Sequence, residues 1–234
     1  MPSSVLHLLG DRARPLALAA ERVLPVSPPF VPVLPGGGLR RGSVVGLAGP
    51  GSTSLTMALL AEASRSGSWL VAVGLSRLGL AASAELGLDL ERLVLVARPE
   101  PSRWAAVTAA LLDAFEVVLV QPTHAVRPAD ARRLEARARD RGAVLVQTGG
   151  RADAWPHAPD LSLTVTRAAW SGLADGHGRL HSRRVTVEVQ GRRQAARVRR
   201  AELWLPAADG SVALVAPVPA DRPAPLVEHA LEVG

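Results

Sequence analysis

An apolar stretch, Val44 to Ala48, runs into Gly49-Pro50-Gly51-Ser52-Thr53-Ser54-Leu55-Thr56 and then into a second apolar run. A strand, a glycine-rich turn and a helix in that order are the setting of a nucleotide phosphate loop. Such a loop needs a second glycine for close backbone approach, a lysine that reaches the β- and γ-phosphates, and a Ser or Thr hydroxyl for magnesium. Those three positions hold Ser54, Leu55 and Thr56. A second register, Gly46 to Thr53, restores both glycines but puts Ser52 in the lysine position. No register can be complete, because all 27 basic residues are arginine, and Arg65 lies about two turns further along the expected helix. The stretch is therefore expected to be without catalytic function. It is either a Gly/Ser turn that caps a helix or a weak anion site built from backbone amides.

The densest basic patch lies between Arg179 and Arg200: Arg179, Arg183, Arg184, Arg192, Arg193, Arg197, Arg199 and Arg200, against the single acid Glu188. Paired as a hairpin about Gly191, several of these would share one face and could track nucleic-acid phosphates. The same pattern also suits a solvated Arg-rich edge strand protected from aggregation. Aromatic interleaving for base stacking is missing, since Phe is rare and Tyr absent. Arg132, Arg133, Arg137, Arg139 and Arg141 alternate with Glu135 and Asp140, as on an ordinary exposed helix. His157, His177 and His181 come nearest to a cluster but lack metal-ligand helical spacing, so no metal site is expected. Trp155, Trp170 and Trp204 read as core or interface anchors.

The elements that must position these residues follow from the apolar pattern. Val44 to Ala48, Trp69 to Val73, Leu93 to Ala97, Val117 to Val120 and Ala143 to Gln147 are short continuous apolar runs, alternating with helical patterns at Thr56 to Ser66, Ala81 to Leu86, Ser102 to Ala114 and Pro128 to Arg141. This predicts an α/β fold with a mostly parallel sheet flanked by helices. Gly67 and Gly142 are the expected helix stops. After Gly150 the pattern alternates, as in antiparallel strands, over Leu161 to Val165, Arg184 to Gln190, Val198 to Leu205 and Val212 to Ala216.

The expected organisation is thus a helix (Val5 to Val23) and Pro-rich linker over residues 1–35, a core over 36–150, a β extension completing the sheet over 151–216, and a flexible tail over 217–234. The tail's Leu226 to Leu231 segment could order on a partner.

Composition narrows the class. The chain has 234 residues, a net charge of +6 and no cysteine, which excludes disulfides and thiolate metal sites. Ile, Asn, Tyr and Lys are also missing, so much of the arginine bias reflects coding composition rather than a nucleic-acid partner. Neither a leader nor a spanning apolar run is evident, and a soluble cytoplasmic protein is expected, without a membrane partner.

The stretch Leu34 to Ala63, LPGGGLRRGSVVGLAGPGSTSLTMALLAEA, resembles the approach of the RecA recombinase family to its phosphate loop, including the Gly49-Pro50 start. Glu85 to Pro99, ELGLDLERLVLVARP, is similar to the stretch between that family's second and third core strands. The whole chain resembles the ImuA group of RecA-like proteins in its actinobacterial form, notably through GHGRLHSRRVTVEVQGRRQAARVRRAELWLP, Gly176 to Pro206.

The resemblance implies a RecA-like core and a part in damage-induced mutagenesis in the nucleoid. It also implies two partners: an ImuB-like inactive Y-family polymerase adaptor and, indirectly, an error-prone C-family DNA polymerase. DNA is a further candidate partner. The active family's catalytic Glu after the second strand has no counterpart, since Val73 to Ala84 holds one acid-free stretch before Glu85. Its Walker B Asp corresponds to Gln121, and Gln147 matches the family's nucleotide-sensing Gln. The segment between those two strands is shorter than in active recombinases, which puts a first DNA-binding loop in doubt. With the cation, the metal-side carboxylate and the base all gone, a degenerate ATPase with no bound cofactor is expected.

The leading expectation is a non-enzymatic adaptor of translesion synthesis. A recombination ATPase would instead show turnover dependent on Thr56 and magnesium, and a regulatory inhibitor of cell division would copurify with a division protein.

Overall fold

The computed structural model describes residues 22–149, 154–174, 177–192 and 198–215. The expected helix over Val5 to Val23 lies almost wholly outside the described residues, and the expected tail over 217–234 lies wholly outside them. Two short strands, β1 (Val23–Leu24) and β2 (Leu39–Arg40), pair antiparallel ahead of the main sheet. That sheet contains β3 (Val44–Ala48), β4 (Leu70–Val73), β5 (Leu93–Val96), β6 (Val117–Val120), β7 (Val144–Thr148), β8 (Leu161–Ala174), β9 (His177–Gly191), β10 (Arg199–Trp204) and β11 (Ala213–Leu214). Its order is β11-β10-β9-β8-β3-β7-β6-β4-β5. From β5 to β8 neighbouring strands are parallel, and from β8 to β11 they are antiparallel. The α/β class and the parallel-then-antiparallel plan are as the apolar pattern predicts.

Four helices, α1 (Ser52–Arg65), α2 (Leu80–Glu85), α3 (Pro101–Ala114) and α4 (Pro128–Arg141), make the crossovers. Because side chains alternate across a strand, each central strand feeds two cores. Val45, Leu47, Val117, Leu119, Val144 and Val146 pack with α1, while Val44, Val118, Val120 and Leu145 pack with α3 and α4. The limits of α4 match the expectation at both ends. Pro128 stands in its first turn, Ala131, Leu134 and Ala138 bury one stripe, and Gly142 caps it at φ 68°.

Two segments differ from expectation. The Pro-rich run after Val23 is not a free linker: Leu24, Val26, Phe30, Val33 and Leu34 are buried in the α1-side core. It forms 3-10 turns at Pro28–Phe30 and Pro35–Gly37, and the Ser27 hydroxyl donates to Ala58 O at 2.9 Å. Prolines forbid a long helix but suit the first position of such turns, and burying Phe30 alone stabilises by roughly 1.5–3 kcal/mol.

The second difference is the length of β8 and β9. Their outer portions extend past β3 and β10 as a two-stranded ribbon, from Ser171↔Ser182 outward to Ala174↔His177. Register shifts at Val165/Arg167 and Ser171/Leu173 break the alternation that would have announced a long strand. Among the described residues no helix is long and apolar enough to cross a membrane.

Candidate functional site

The vestigial loop sits where the fold class places ligands, at the carboxyl end of β3 in the middle of the sheet. Only Gly49, Pro50 and Gly51 lie outside regular structure, because α1 is already wound at Ser52. Ser52 N–H donates to Gly49 O at 3.2 Å and Leu55 N–H to Gly51 O at 3.1 Å, so two amides are consumed by the start of the helix. Glycine is required at both turn positions. Gly49 (φ 90°) lies against the backbone of Val165, whose N would be 3.0 Å from an added Cβ, and Gly51 has φ 79°.

Thr56, in the magnesium position, is completely buried. Its hydroxyl donates to Ser52 O at 2.8 Å and lies 2.7 Å from the Thr148 hydroxyl on β7. Leu55, in the lysine position, is completely buried in the α1-side core. Thr53 and Ser54 are half-buried in the first turn. Gln121, after β6, lies against Gly149, whose added Cβ would be 2.6 Å from the Gln121 Nε2 and 3.9 Å from the Ser52 Oγ. Gln147 ends on the opposite sheet face from Thr148, and its Nε2 is buried without a hydrogen-bond partner. The fold thus gathers the loop, Gln121 and Gln147 at one edge of the sheet. These residues do not fit a magnesium–nucleotide complex of the kind a phosphate loop holds. The hydroxyl faces the core, and the charged positions carry Leu55 and a neutral amide.

The arginine patch is divided rather than continuous. Arg184 and Arg200 project from one face of the antiparallel sheet and meet acids across it. The Arg184 Nε donates to Glu202 at 3.1 Å and the Arg200 Nε to Glu188 at 2.8 Å. Glu202 lies just outside the window in which Glu188 is the only acid. Arg192 and Arg199 are exposed, while Arg193 and Arg197 lie outside the described residues.

Arg183 corrects the expectation of a surface arginine. It shares the inward parity of Val185, Val187 and Val189 and is only 8% exposed. Its Nε donates to Leu205 O at 2.9 Å, and its backbone pairs with Leu205 and Pro206. Its guanidinium lies 5.2 Å from the Trp170 ring centroid and against Gly51, where an added Cβ would meet Cζ and Nη2 at 2.8 Å. Burial pulls the guanidinium below its ordinary pKa range, and no acid pairs with it among the described residues. The long-range contact was invisible in the sequence. Its trace there was the odd-even parity with the buried valines, together with the Leu-Trp-Leu-Pro run that holds it.

Among the described residues the histidines are not gathered. His157 Nδ1 and the Trp155 indole both lie 2.9 Å from the Glu135 Oε1, on the α4 side, whereas His181 lies beside Gly172 on the ribbon. Trp155 packs edge-on to Trp104 at 6.3 Å and is an anchor of that core, while Trp170 is half-exposed and stacks on Arg183.

The whole arrangement is similar to solved structures with a RecA-like fold. The KaiC-like protein PH0186 of Pyrococcus horikoshii OT3 matches with a TM-score of 0.57 and 13% identity over 83% of this chain and 99% of that one. The RadB recombinase matches with a TM-score of 0.52 and 15% identity over 77% and 94%. In sequence, the chain is 37% identical over 103 residues to the Uncharacterized protein Rv3395c of Mycobacterium tuberculosis, covering 43% of this chain and 49% of that protein. The chain therefore spans about half the length of the curated relative it matches. Residues 32–157, more than half of the chain and including the vestigial loop, match the MT3502 N-terminal domain, and the chain belongs to that family.

Proposed function

We propose that this chain is a non-catalytic RecA-like adaptor of the ImuA type in DNA-damage-induced translesion synthesis. It binds an ImuB-like inactive Y-family polymerase adaptor and through it an error-prone C-family DNA polymerase, and it contacts DNA through exposed arginines of the antiparallel strands. The observation that carries the non-catalytic part is the state of the loop: Thr56 is sealed against Thr148, and Leu55 is buried in place of a cation. Hydrolysis needs charge neutralisation, a metal anchor and a proton acceptor together, and the positions that would supply them hold none. The adaptor part is supported by the likeness of Leu34 to Ala63 and Gly176 to Pro206 to the ImuA group. The RecA-like fold is compatible with a role in DNA repair.

Two measurements test the reading. A sensitive phosphate-release assay on the pure chain is expected to show no magnesium-dependent turnover above that of a Thr56→Ala control. A pull-down from DNA-damaged cells is expected to recover the polymerase-like partner, and recovery of a division protein instead would reject the adaptor role. For DNA, Arg192 and Arg199 are the exposed candidates with no acid partner among the described residues. Replacing both by Ala should lower affinity in fluorescence anisotropy and reduce the salt slope by about 2. An unchanged slope would remove DNA from the proposal.

A further inference from the structure

We infer that a groove beside the edge strand β11 is the seat of the chain's own carboxyl-terminal segment, Leu226 to Leu231. The antiparallel strands pack on the α1-side core, and between β11, the last residue of α1 and the turn after α2 a groove of about 640 Å³ stays open, with Pro29, Arg65, Leu86, Val212 and Leu214 in its walls. Leu214 stands directly across from Leu203 on β10, so the two side chains share one face of the sheet. Leu203 is 1% exposed and Leu214 is 42% exposed. Val212, also on that face, packs against the core. Leu214 is therefore an inward-facing apolar side chain that the core no longer covers.

The chain that leaves β11 names the occupant. Val215 N–H donates to Glu202 O, so residues 217 and 219 hold the next amides that a longer β11 would turn towards β10. Both are proline and have no N–H to give, which ends the ladder beside the groove. Further on, Leu226, Val227, Ala230 and Leu231 are apolar at the spacing of one helix face. The connector over residues 216–225 reaches at most about 35 Å when extended, and the groove begins at its near end. A tether of that length holds the segment at an effective concentration on the order of millimolar, which populates even a weak apolar contact and which a separate partner of equal affinity has to match. Seated there, the segment covers Leu214 and the outer edge of β11, a strand edge that otherwise offers itself for pairing with another chain.

The chain has no cysteine, so a pair can be introduced into the full-length protein without background. Glu85→Cys on the groove wall and Glu228→Cys in the segment should be joined within one molecule by a short bis-maleimide about tenfold faster than Arg133→Cys and Glu228→Cys, whose first member is exposed on α4 across the sheet. Adding Leu226→Asp with Leu231→Asp should bring the fast rate down to that of the control pair, and Leu214→Asp on the groove side should do the same. The melting temperature is followed throughout, and if Leu214→Asp melts earlier the segment substitutions alone decide. Joining at the control rate would overturn the inference, as would a fast rate that survives the aspartates. A product that links two molecules in place of one would also overturn it and give the groove to a second copy of the chain.

Discussion

A hydroxyl in the last position of a phosphate loop serves magnesium only if a lone pair is open to the loop, and that of Thr56 is turned into the core against Thr148. Its role in the protein as it stands is structural. Thr56→Val should leave the Thr148 hydroxyl buried without this partner and cost about 1–3 kcal/mol in urea unfolding. The double variant Thr56→Val/Thr148→Val should recover much of that loss, since an apolar pair of similar shape replaces both groups. Additive losses would mean that the two hydroxyls do not act as a pair. At this scale the sequence was informative about what is missing: the loop's place, the absent cation and Gln121 could all be read from residue order. It was silent about Arg183, because a contact between β9 and the Gly51 turn depends on sheet order, and a cluster of eight arginines conceals a member that faces inward.

Elements whose ends carry their own chemistry were legible, and those defined by tertiary packing were not. The boundaries of α4 are written in Pro128 and Gly142, and β3 and β6 in uninterrupted apolar runs. The Pro-rich segment declares only what it cannot be, and nothing local reveals that Phe30 and Leu34 are covered by the sheet. The ribbon of β8 and β9 was hidden by bulges that move side chains to the other face.

Between elements, Asp113 on α3 accepts from the Arg137 and Arg141 guanidinium groups on α4. Its carboxyl is held below the usual value, chiefly by the Arg137 hydrogen bond. A carboxyl with a depressed folded pKa contributes stability above its unfolded value of about 4 and loses it as pH falls through the folded value. Asp113→Asn should therefore be less stable than the native chain near neutral pH, by a small margin at so exposed a site. The two proteins should converge as melting is followed below about pH 4. Parallel profiles across that range would show that the link does not couple to folding.

Across the whole molecule, the sheet is built to two standards. The parallel half is closed on both faces, and every residue of β6 is fully buried between β4 and β7. The antiparallel half packs one face on the α1-side core and leaves the other to polar residues, with cross-strand ion pairs at Arg184 and Arg200. It ends in the two-residue edge strand β11 and carries a ribbon paired only to itself. Opening free energy should follow this division, because local opening is cheap where few apolar contacts and single-sided pairing hold a strand. Amide exchange followed along a urea series should place β4, β6 and β7 at the global unfolding free energy, typically about 5–15 kcal/mol. The ribbon and β11 should exchange through smaller openings with little urea dependence. The inner part of β9 around Val185 to Val189 should sit between, since Arg183 ties the strand to the Gly51 turn at one end and β10 covers its edge. If Arg183 fastens the two halves, Arg183→Gln should lower protection in β9 and β10 while leaving β6 and β7 unchanged relative to global unfolding. A uniform drop across all strands would mean that the sheet opens as a single unit and that the guanidinium contact has no separate part in joining its halves.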